Sequence, residues 1–382
     1  MNIVWFSEIK WDYLKTRKQQ IISRKPSDSK LLFLEPFVKG RANNYRLRKE
    51  GDIFCATVPF VKAVPSPPLR WFLDWEGGRK IVDRYARYRV SKLIRAAGFV
   101  PADSALILSN VYAIHVARRI PGKFLLYDCN DAHNAFPGMP DWTTDYFRAS
   151  CRYADAVNAS ARALYDDIVE IRGGEAGCEL IGNGVEYGYF ERVRESLGWP
   201  DPPNPPRVGY LGAIAPWFNF GFVDKVARAH PDWEVALVGP VMLGVEAQVE
   251  RLTELPNVSL SPPVAYQDVP ALLRTFTVGL IPFRYDALTR GVNPNKMYEY
   301  LAMGLPVVAS RFSSEVQRYP DVVAAPESDD QFVRACEAFV ALARDPGALL
   351  SHRKNACKIA AGHDWGVIAR KFWERAATLA AR

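Results

Sequence analysis

The sequence predicts an α/β protein made of two doubly wound domains. Short runs of β-branched residues alternate with longer helical stretches almost throughout, the pattern of parallel strands joined by crossover helices. Five prolines crowd residues 199–206 (WPDPPNPP), and the alternation resumes directly after them. The 382 residues, 49% hydrophobic, supply apolar material for two cores and are too many for one.

In the first half, strands are expected at residues 2–6 (NIVWF), 31–35, 53–58, 105–109, 124–127 and 156–159, with helices at 13–23, 76–97, 144–153 and 161–171. The proline stretch forbids helix and central strand and leaves an extended linker. Beyond it, strands are expected at 207–211, 234–238, 258–260, 278–281, 307–309 and 322–324. From residue 331 the chain reads as helical, with breaks at Asp345-Pro346 and near 362–365.

The formal net charge of +7 is unevenly spread. Residues 1–100 hold 21 Lys and Arg against 9 Asp and Glu, a net of +12; the remainder holds 28 against 33, a net of −5. Residues 60–80 set Trp71, Phe72, Leu73 and Trp75 among Arg70, Arg79 and Lys80. Aromatic rings beside cations suit an anionic membrane surface, where each nearby Lys or Arg adds about 1 kcal/mol. Residues 60–95 are the expected contact, and aromatics in a core beneath a solvated basic face are the alternative. No nucleic-acid motif accompanies the charge, so nucleic acid is not an expected partner. The six cysteines form no CxxC pair or Cys/His cluster, and they read as reduced thiols rather than zinc ligands. The N-terminus lacks signal-peptide zones, and no apolar run approaches the roughly 20 residues of a membrane span. A cytoplasmic protein, peripheral on the inner membrane face, is expected.

Residues 293–310, NPNKMYEYLAMGLPVVAS, carry the most specific signal. Pro294 starts a helix, Lys296 and Glu299 lie one turn apart, and Gly304 with Pro306 ends the helix before a strand. A helix N-terminus exposes free N–H groups and positive potential, so a diphosphate can sit there while a carboxylate further along grips ribose hydroxyls. A surface ion pair would account for Lys296 and Glu299 and leave the rest of the stretch unexplained.

This stretch resembles the second domain of the GT-B glycosyltransferases of the large group 1 superfamily. Asn183-Gly184-Val185 resembles the NGV(D) that ends the family's first domain, with Glu186 in the acidic position. Residues 207–213 (RVGYLGA), 233–240 (WEVALVGP) and 255–273 fit in order. The resemblance implies two Rossmann-like domains facing across a cleft. Residues 1–190 would bind the acceptor, 191–206 would be the linker, 207–362 would bind the nucleotide sugar, and 363–382 would form a C-terminal helix crossing back to the first domain. It implies that Glu299 binds the donor ribose and that Lys296 with nearby backbone N–H groups holds the diphosphate. Asn293, Asn295 and Tyr298 complete that side, Gly212 lets the backbone approach the phosphates, and Val264 and Tyr266 lie near the base. Gly239 ends the second strand of the domain, where a plain turn is the alternative.

Two departures narrow the likeness. The acidic residue common eight positions before the ribose glutamate is Gly291 here, and the Arg and Lys that often follow the first glycine turn are replaced by GAIAPWFNF. The pattern is closer to teichuronic acid and xanthan-type glucuronosyltransferases. Arg284 or Arg290 then replaces the phosphate clamp or pairs with a uronic-acid carboxylate; surface arginine is the alternative.

On the acceptor side, residues 127–133 (YDCNDAH) follow a strand, which places their polar groups at a carboxyl-terminal sheet edge. Asp131 is the first candidate for a general base and His133 the second, with turn capping by Asp128 or Asp131 as the alternative. Trp11 and Asp12 line the acceptor side. Lys15, Arg17, Lys18 and Arg24 meet lipid phosphate or form a solvated face. A dinucleotide GxGxxG is absent, no DxD lies in a loop, and neither metal nor cofactor is expected beyond the nucleotide sugar. The expected reaction moves glucuronic acid or glucose from a UDP-sugar to a hydroxyl of a saccharide, on a lipid-linked intermediate. Mannose from GDP-mannose, a sugar-nucleotide epimerase and an inactive sugar-binding scaffold remain as alternatives.

Overall fold

The computed structural model describes residues 1–13, 15–62, 67–136 and 138–382. Residue 14 of the expected first helix, and residues 63–66 of the basic aromatic stretch, lie outside the described residues. The chain divides into two compact units, Met1–Ile181 with Ala369–Arg382, and Gly182–Ile368.

The first unit runs β1 (Asn2–Phe6), α1 (Arg17–Ile22), β2 (Lys30–Pro36), β3 (Arg48–Glu50), β4 (Ile53–Val58), α2 (Pro67–Asp74), α3 (Glu76–Ala96), β5 (Ser104–Leu108), α4 (Ile114–Ala117), β6 (Phe124–Cys129), α5 (Trp142–Tyr153), β7 (Ala156–Ala159), α6 (Arg162–Arg172) and β8 (Cys178–Leu180). Its strands order as β3-β4-β2-β1-β5-β6-β7-β8, parallel except for β3, which pairs antiparallel to β4 at the edge. Alternate residues feed two cores. Val4, Phe6, Leu106 and Tyr127 point to one face, and Ile3, Trp5, Ile107 and Leu126 to the other. Strands buried on both faces are what parallel sheets require, which is why these runs read as continuous apolar sequence.

The second core is closed by the C-terminal segment. Phe372 stacks on Trp5 at 5.7 Å, and Trp373 Nε1 donates to the Ile21 carbonyl at 3.0 Å.

Three differences from the sequence reading stand out here. The first helix spans Arg17–Ile22 rather than 13–23, and it is buried rather than solvated. Arg17 pairs with Asp128, and Lys18 with Glu8, both across the sheet edge where a charge run gives no sign of its partner. Second, the stretch is divided between the two alternatives: Trp71 (76%) and Trp75 (56%), the latter between α2 and α3, are exposed together with Leu69, Ile81, Tyr85 and Tyr88, whereas Leu73 is buried and Phe72 half-buried. Third, the units divide before α7 (Tyr187–Leu197), and the proline stretch lies inside the second unit. Arg353 holds it there, donating to the Pro200 carbonyl at 2.8 Å and lying 5.1 Å over the Trp199 ring.

The second unit continues with β9 (Arg207–Leu211), α8 (Phe220–Ala229), β10 (Glu234–Val238), α9 (Glu246–Thr253), β11 (Val258–Ser261), α10 (Val269–Leu273), β12 (Val278–Ile281), α11 (Asn295–Ala302), β13 (Val307–Ala309), β14 (Val323–Ala324), α12 (Asp329–Ala343), α13 (Pro346–Gly362) and α14 (Trp365–Ala380), the last contributing residues 369–380 to the first unit. All six strands are parallel, in the order β11-β10-β9-β12-β13-β14. The chain winds outward from β9 through β10 and β11, then restarts on its other side at β12. That reversal is a topological switch point, and in doubly wound sheets the crevice beyond the strand ends at such a point is where ligands bind. Among the described residues no helix is long and apolar enough to cross a membrane.

Candidate active site

Lys296 and Glu299 sit at this switch point because of how α11 packs. Met297, Tyr298, Tyr300 and Leu301 are fully buried, which fixes the helix and leaves positions 295, 296 and 299 half-buried on one stripe. The Tyr300 hydroxyl accepts the Leu211 N–H at 2.8 Å and ties the helix to the end of β9. Lys296 Nζ donates to the Tyr210 hydroxyl at 2.9 Å and lies 4.3 Å over the Tyr210 ring and 4.7 Å over Phe283. Among the described residues no donor meets the Glu299 carboxylate. Asn295 Oδ1, at the first turn of α11, is buried without a hydrogen-bond partner.

Two glycines make room for this arrangement. Gly212 has φ +142°, and a Cβ there would lie 2.5 Å from Lys296 Nζ. Gly239 has φ +148°, and its Cβ would lie 2.1 Å from the Gly212 carbonyl oxygen. These two strand-end turns pack against each other, so Gly239→Ala is expected to destabilise the protein by about 2–3 kcal/mol. Urea unfolding reads this directly, and a midpoint equal to that of the unsubstituted protein removes the steric argument.

Burial lowers the Lys296 ammonium to about 7 and raises the Glu299 carboxyl to about 7, each charge partly countering the effect on its partner. An ammonium suits a diphosphate, and this one is lost as pH rises through about 7. A carboxylate suits ribose hydroxyls, and this one is lost as pH falls through about 7. Nucleoside diphosphate affinity is therefore expected to peak near neutrality and fall on both sides. Calorimetric titration with UDP across that range tests it, and a flat profile excludes the pair from the site.

Val264 and Tyr266 are about one-third exposed, at 37% each. The Tyr266 hydroxyl is pushed up by burial and by the charges of Glu299 and Glu186. Its ring packs on Tyr189 and Phe190 at 6.4 and 6.0 Å. Tyr189 and Phe283 stand in no motif and Tyr210 only within RVGYLGA, so pairing in the fold is what marks these rings. The backbone carbonyl of Asn293 accepts from Asn183 Nδ2 at 2.8 Å, so the NGV segment braces the start of α11. The structure does not bring Tyr298 to the site: it is 0% exposed and stacks on His363 at 4.2 Å, because it falls on the core stripe of the helix. Arg284 is exposed, in a loop ordered by Asp286 Oδ1, which accepts from Leu288 and Thr289 N–H groups at 2.9 and 2.8 Å.

In the first unit, β6 runs on to Cys129, so Asp128 is a strand residue and neither base nor cap. It is fully buried and takes both Nε and Nη2 of Arg17, at 3.0 and 2.9 Å. Asp131 and His133 lie just beyond the strand end. Asn130 Nδ2 donates to Asp131 Oδ2 at 2.6 Å, and the His133 N–H donates to the Asp131 carbonyl at 3.0 Å. Burial raises the proton affinity of the Asp131 carboxyl, against the pull of His133, Lys18 and Arg17. A raised carboxyl at a sheet edge suits a general base. Trp11 is anchored, its N–H donating to Glu35 Oε2 at 3.0 Å and its ring edge-on to Phe33 at 5.1 Å; Asp12 beside it is exposed. Glu35 itself is fully buried and is further held by Lys10, Thr57 and Arg48. Among the described residues no three His, Cys, Asp or Glu side chains are grouped to hold a metal ion.

Residues 205–341 match the family model described as glycosyl transferases group 1. Over 266 residues the chain is 25% identical to TuaH of Bacillus subtilis (strain 168), named for a glycosyltransferase role in teichuronic acid biosynthesis; the match spans 65% of each chain. Solved structures are similar along nearly the whole length. They include sucrose-phosphate synthase from Thermosynechococcus elongatus, with a TM-score of 0.73 at 13% identity covering 100% of this chain and 99% of that one. The Anabaena protein HepE, in complex with UDP and glucose, superposes with 0.65 at 16% identity over 98% and 99%. An E. coli trehalose-6-phosphate enzyme bound with UDP-2-fluoro glucose gives 0.71 at 11% identity over 100% and 99%. At these identities the structures establish the fold.

Proposed function

Because residues 205–341 match the family model of group 1 glycosyl transferases and the chain has the GT-B fold, we propose that it transfers a sugar from a UDP-sugar to a saccharide hydroxyl. Glucuronic acid or glucose is the sugar, and a lipid-linked polysaccharide intermediate at the cytoplasmic membrane face is the acceptor. The observation that carries the reading is the Lys296 ammonium at the start of α11, desolvated over two rings, with an unmet Glu299 carboxylate one turn on. Lys296 and the helix N-terminus stabilise the leaving diphosphate, Glu299 takes the ribose, and Asp131 removes the proton of the attacking hydroxyl. UDP in the names of two structural neighbours supports the base, and TuaH's name supports a polysaccharide product.

A thermal-shift series with UDP, GDP, ADP, TDP and their sugar conjugates tests the donor, since a ligand of the native state raises Tm. Selective stabilisation by UDP and UDP-glucuronate or UDP-glucose is the expected result. Stabilisation by GDP alone would replace it with mannosyl transfer.

The exposed Trp71 and Trp75, with Arg70 and Lys80 nearby, support membrane contact through α2 and α3. Exchanging both tryptophans for Ala is expected to weaken binding to phosphatidylglycerol vesicles by about tenfold. Undiminished flotation with such vesicles rules this face out.

A further inference from the structure

The second unit begins at Gly182 and ends at Ile368, and inside it these two ends of the segment run side by side. Val185 and Asp364 form a parallel bridge, in which the Val185 N–H donates to the His363 carbonyl at 2.9 Å and the Trp365 N–H to the Val185 carbonyl at 2.9 Å. Gly184 permits this approach, since a Cβ there would lie 2.2 Å from the His363 carbonyl oxygen. The bridge sets the His363 ring among three partners. It stacks on Tyr298 of α11 at 4.2 Å, its Nε2 lies 2.6 Å from the Tyr319 hydroxyl, and its Nδ1 lies 3.4 Å from the Asn183 carbonyl oxygen. A carbonyl only accepts, so Nδ1 carries the proton; in the neutral ring Nε2 is then the acceptor, and the Tyr319 hydroxyl donates to it. The two contacts thus select one tautomer. Asn183 carries the constraint onward, because its side-chain Nδ2 donates to the Asn293 carbonyl at 2.8 Å. Asn293 adjoins Pro294, the N-cap of α11, and Lys296 stands in the first turn of that helix.

We propose that His363 is a positioning residue of the donor site, holding the first turn of α11, and with it Lys296, through Asn183. The inference rests on the donor reading given above. In this role His363 acts through two hydrogen bonds in series rather than by contact with the nucleotide. Its ring fixes the buried stripe of α11 at Tyr298, and its Nδ1 proton fixes the start of the same helix by way of Asn183 and Asn293. The free N–H groups of that first turn and the Lys296 ammonium are what a diphosphate would meet. A displacement of the Asn293 carbonyl shifts both together, and a misplacement of about 1 Å is enough to weaken such a site strongly.

Calorimetric titration of the full chain with UDP, in two variants that differ in which ring nitrogen they replace, tests the relay. An asparagine amide takes the place of Nδ1 and can still donate to Asn183; a glutamine amide reaches the place of Nε2 and meets only Tyr319. Both lose the stack on Tyr298, so a purely structural role would weaken them alike. His363→Gln is expected to raise Kd for UDP about tenfold, and His363→Asn to stay within about threefold of the unsubstituted protein. Equal affinities in the two variants overturn the proposal. At the other end of the relay, Asn183→Ala is expected to match His363→Gln, and combining the two substitutions to add nothing further, since each breaks the same chain of contacts. Additive losses overturn it. Without any ligand, ¹⁵N spectra of the histidine rings read the tautomer, the His363 signals being assigned by their loss in His363→Asn. A protonated Nδ1 and a bare Nε2 are expected, and the reverse tautomer overturns the proposal. Undiminished UDP binding in Lys296→Ala would instead remove the donor reading, a failure that the tautomer measurement does not share.

Discussion

Lys296→Ala is expected to lower kcat for sugar transfer by about 10²–10³ without lowering the melting temperature of the unliganded protein. The magnitude is that of removing one preorganised charge or donor from a developing oxyanion in a dry site. The Lys296 ammonium is desolvated over Tyr210 and Phe283, with a single neutral hydroxyl at 2.9 Å, so its loss takes no buried ion pair with it. Burial already disfavours its charged form, and this is why the apo fold is expected to tolerate the substitution. Lys296→Met, which keeps much of the stem over the rings, should behave alike if charge is the cause. Wild-type turnover in either variant would sink the assignment of the diphosphate site. A loss of turnover accompanied by a lower melting temperature would make Lys296 a packing residue instead.

The second large effect is structural. Asp128→Ala is expected to cost about 3–5 kcal/mol, because it leaves the Arg17 guanidinium buried and uncompensated. Both side chains are at most 3% exposed, and the contact is two-pronged. The pair also holds α1 over the ends of the parallel strands, so the cost should appear in urea unfolding followed by a far-ultraviolet signal. A loss below about 1 kcal/mol would show a pair that is effectively solvated. The contrast with Asp131 is diagnostic: three positions further along, outside the strand, a carboxyl placed for chemistry should tolerate Asn in stability and fail in turnover.

Much of the fold was legible because the local physics is strong. Parallel strands buried on both faces must be continuous apolar runs, and β4, β7, β9, β10 and β12 fall where those runs predict them. The stretch at 293–310 was legible for another reason. Its proline, lysine, glutamate and glycine each answer to a geometric need of a short helix between two strands. What failed were inferences about direction. Lys18 and Arg17 read as a solvated charge run, yet both are buried, because Glu8, just after β1, and Asp128, in β6, meet them. Tyr298 read as part of the donor set, yet it falls on the buried stripe of α11.

The sequence by itself determined the alternation of elements, the parallel sheets and the Lys296–Glu299 pair, since hydrophobic period, helix punctuation and residue type are local properties. Only the tertiary structure decided which charges are buried, which aromatics are exposed and which polar atoms lack partners. The Tyr210 ring beneath Lys296, the Gly212–Gly239 contact and the Glu8–Lys18 pair each join residues far apart in the chain. Desolvation and pairing depend on what lies across a few ångströms of space, and one strand read alone carries no record of it.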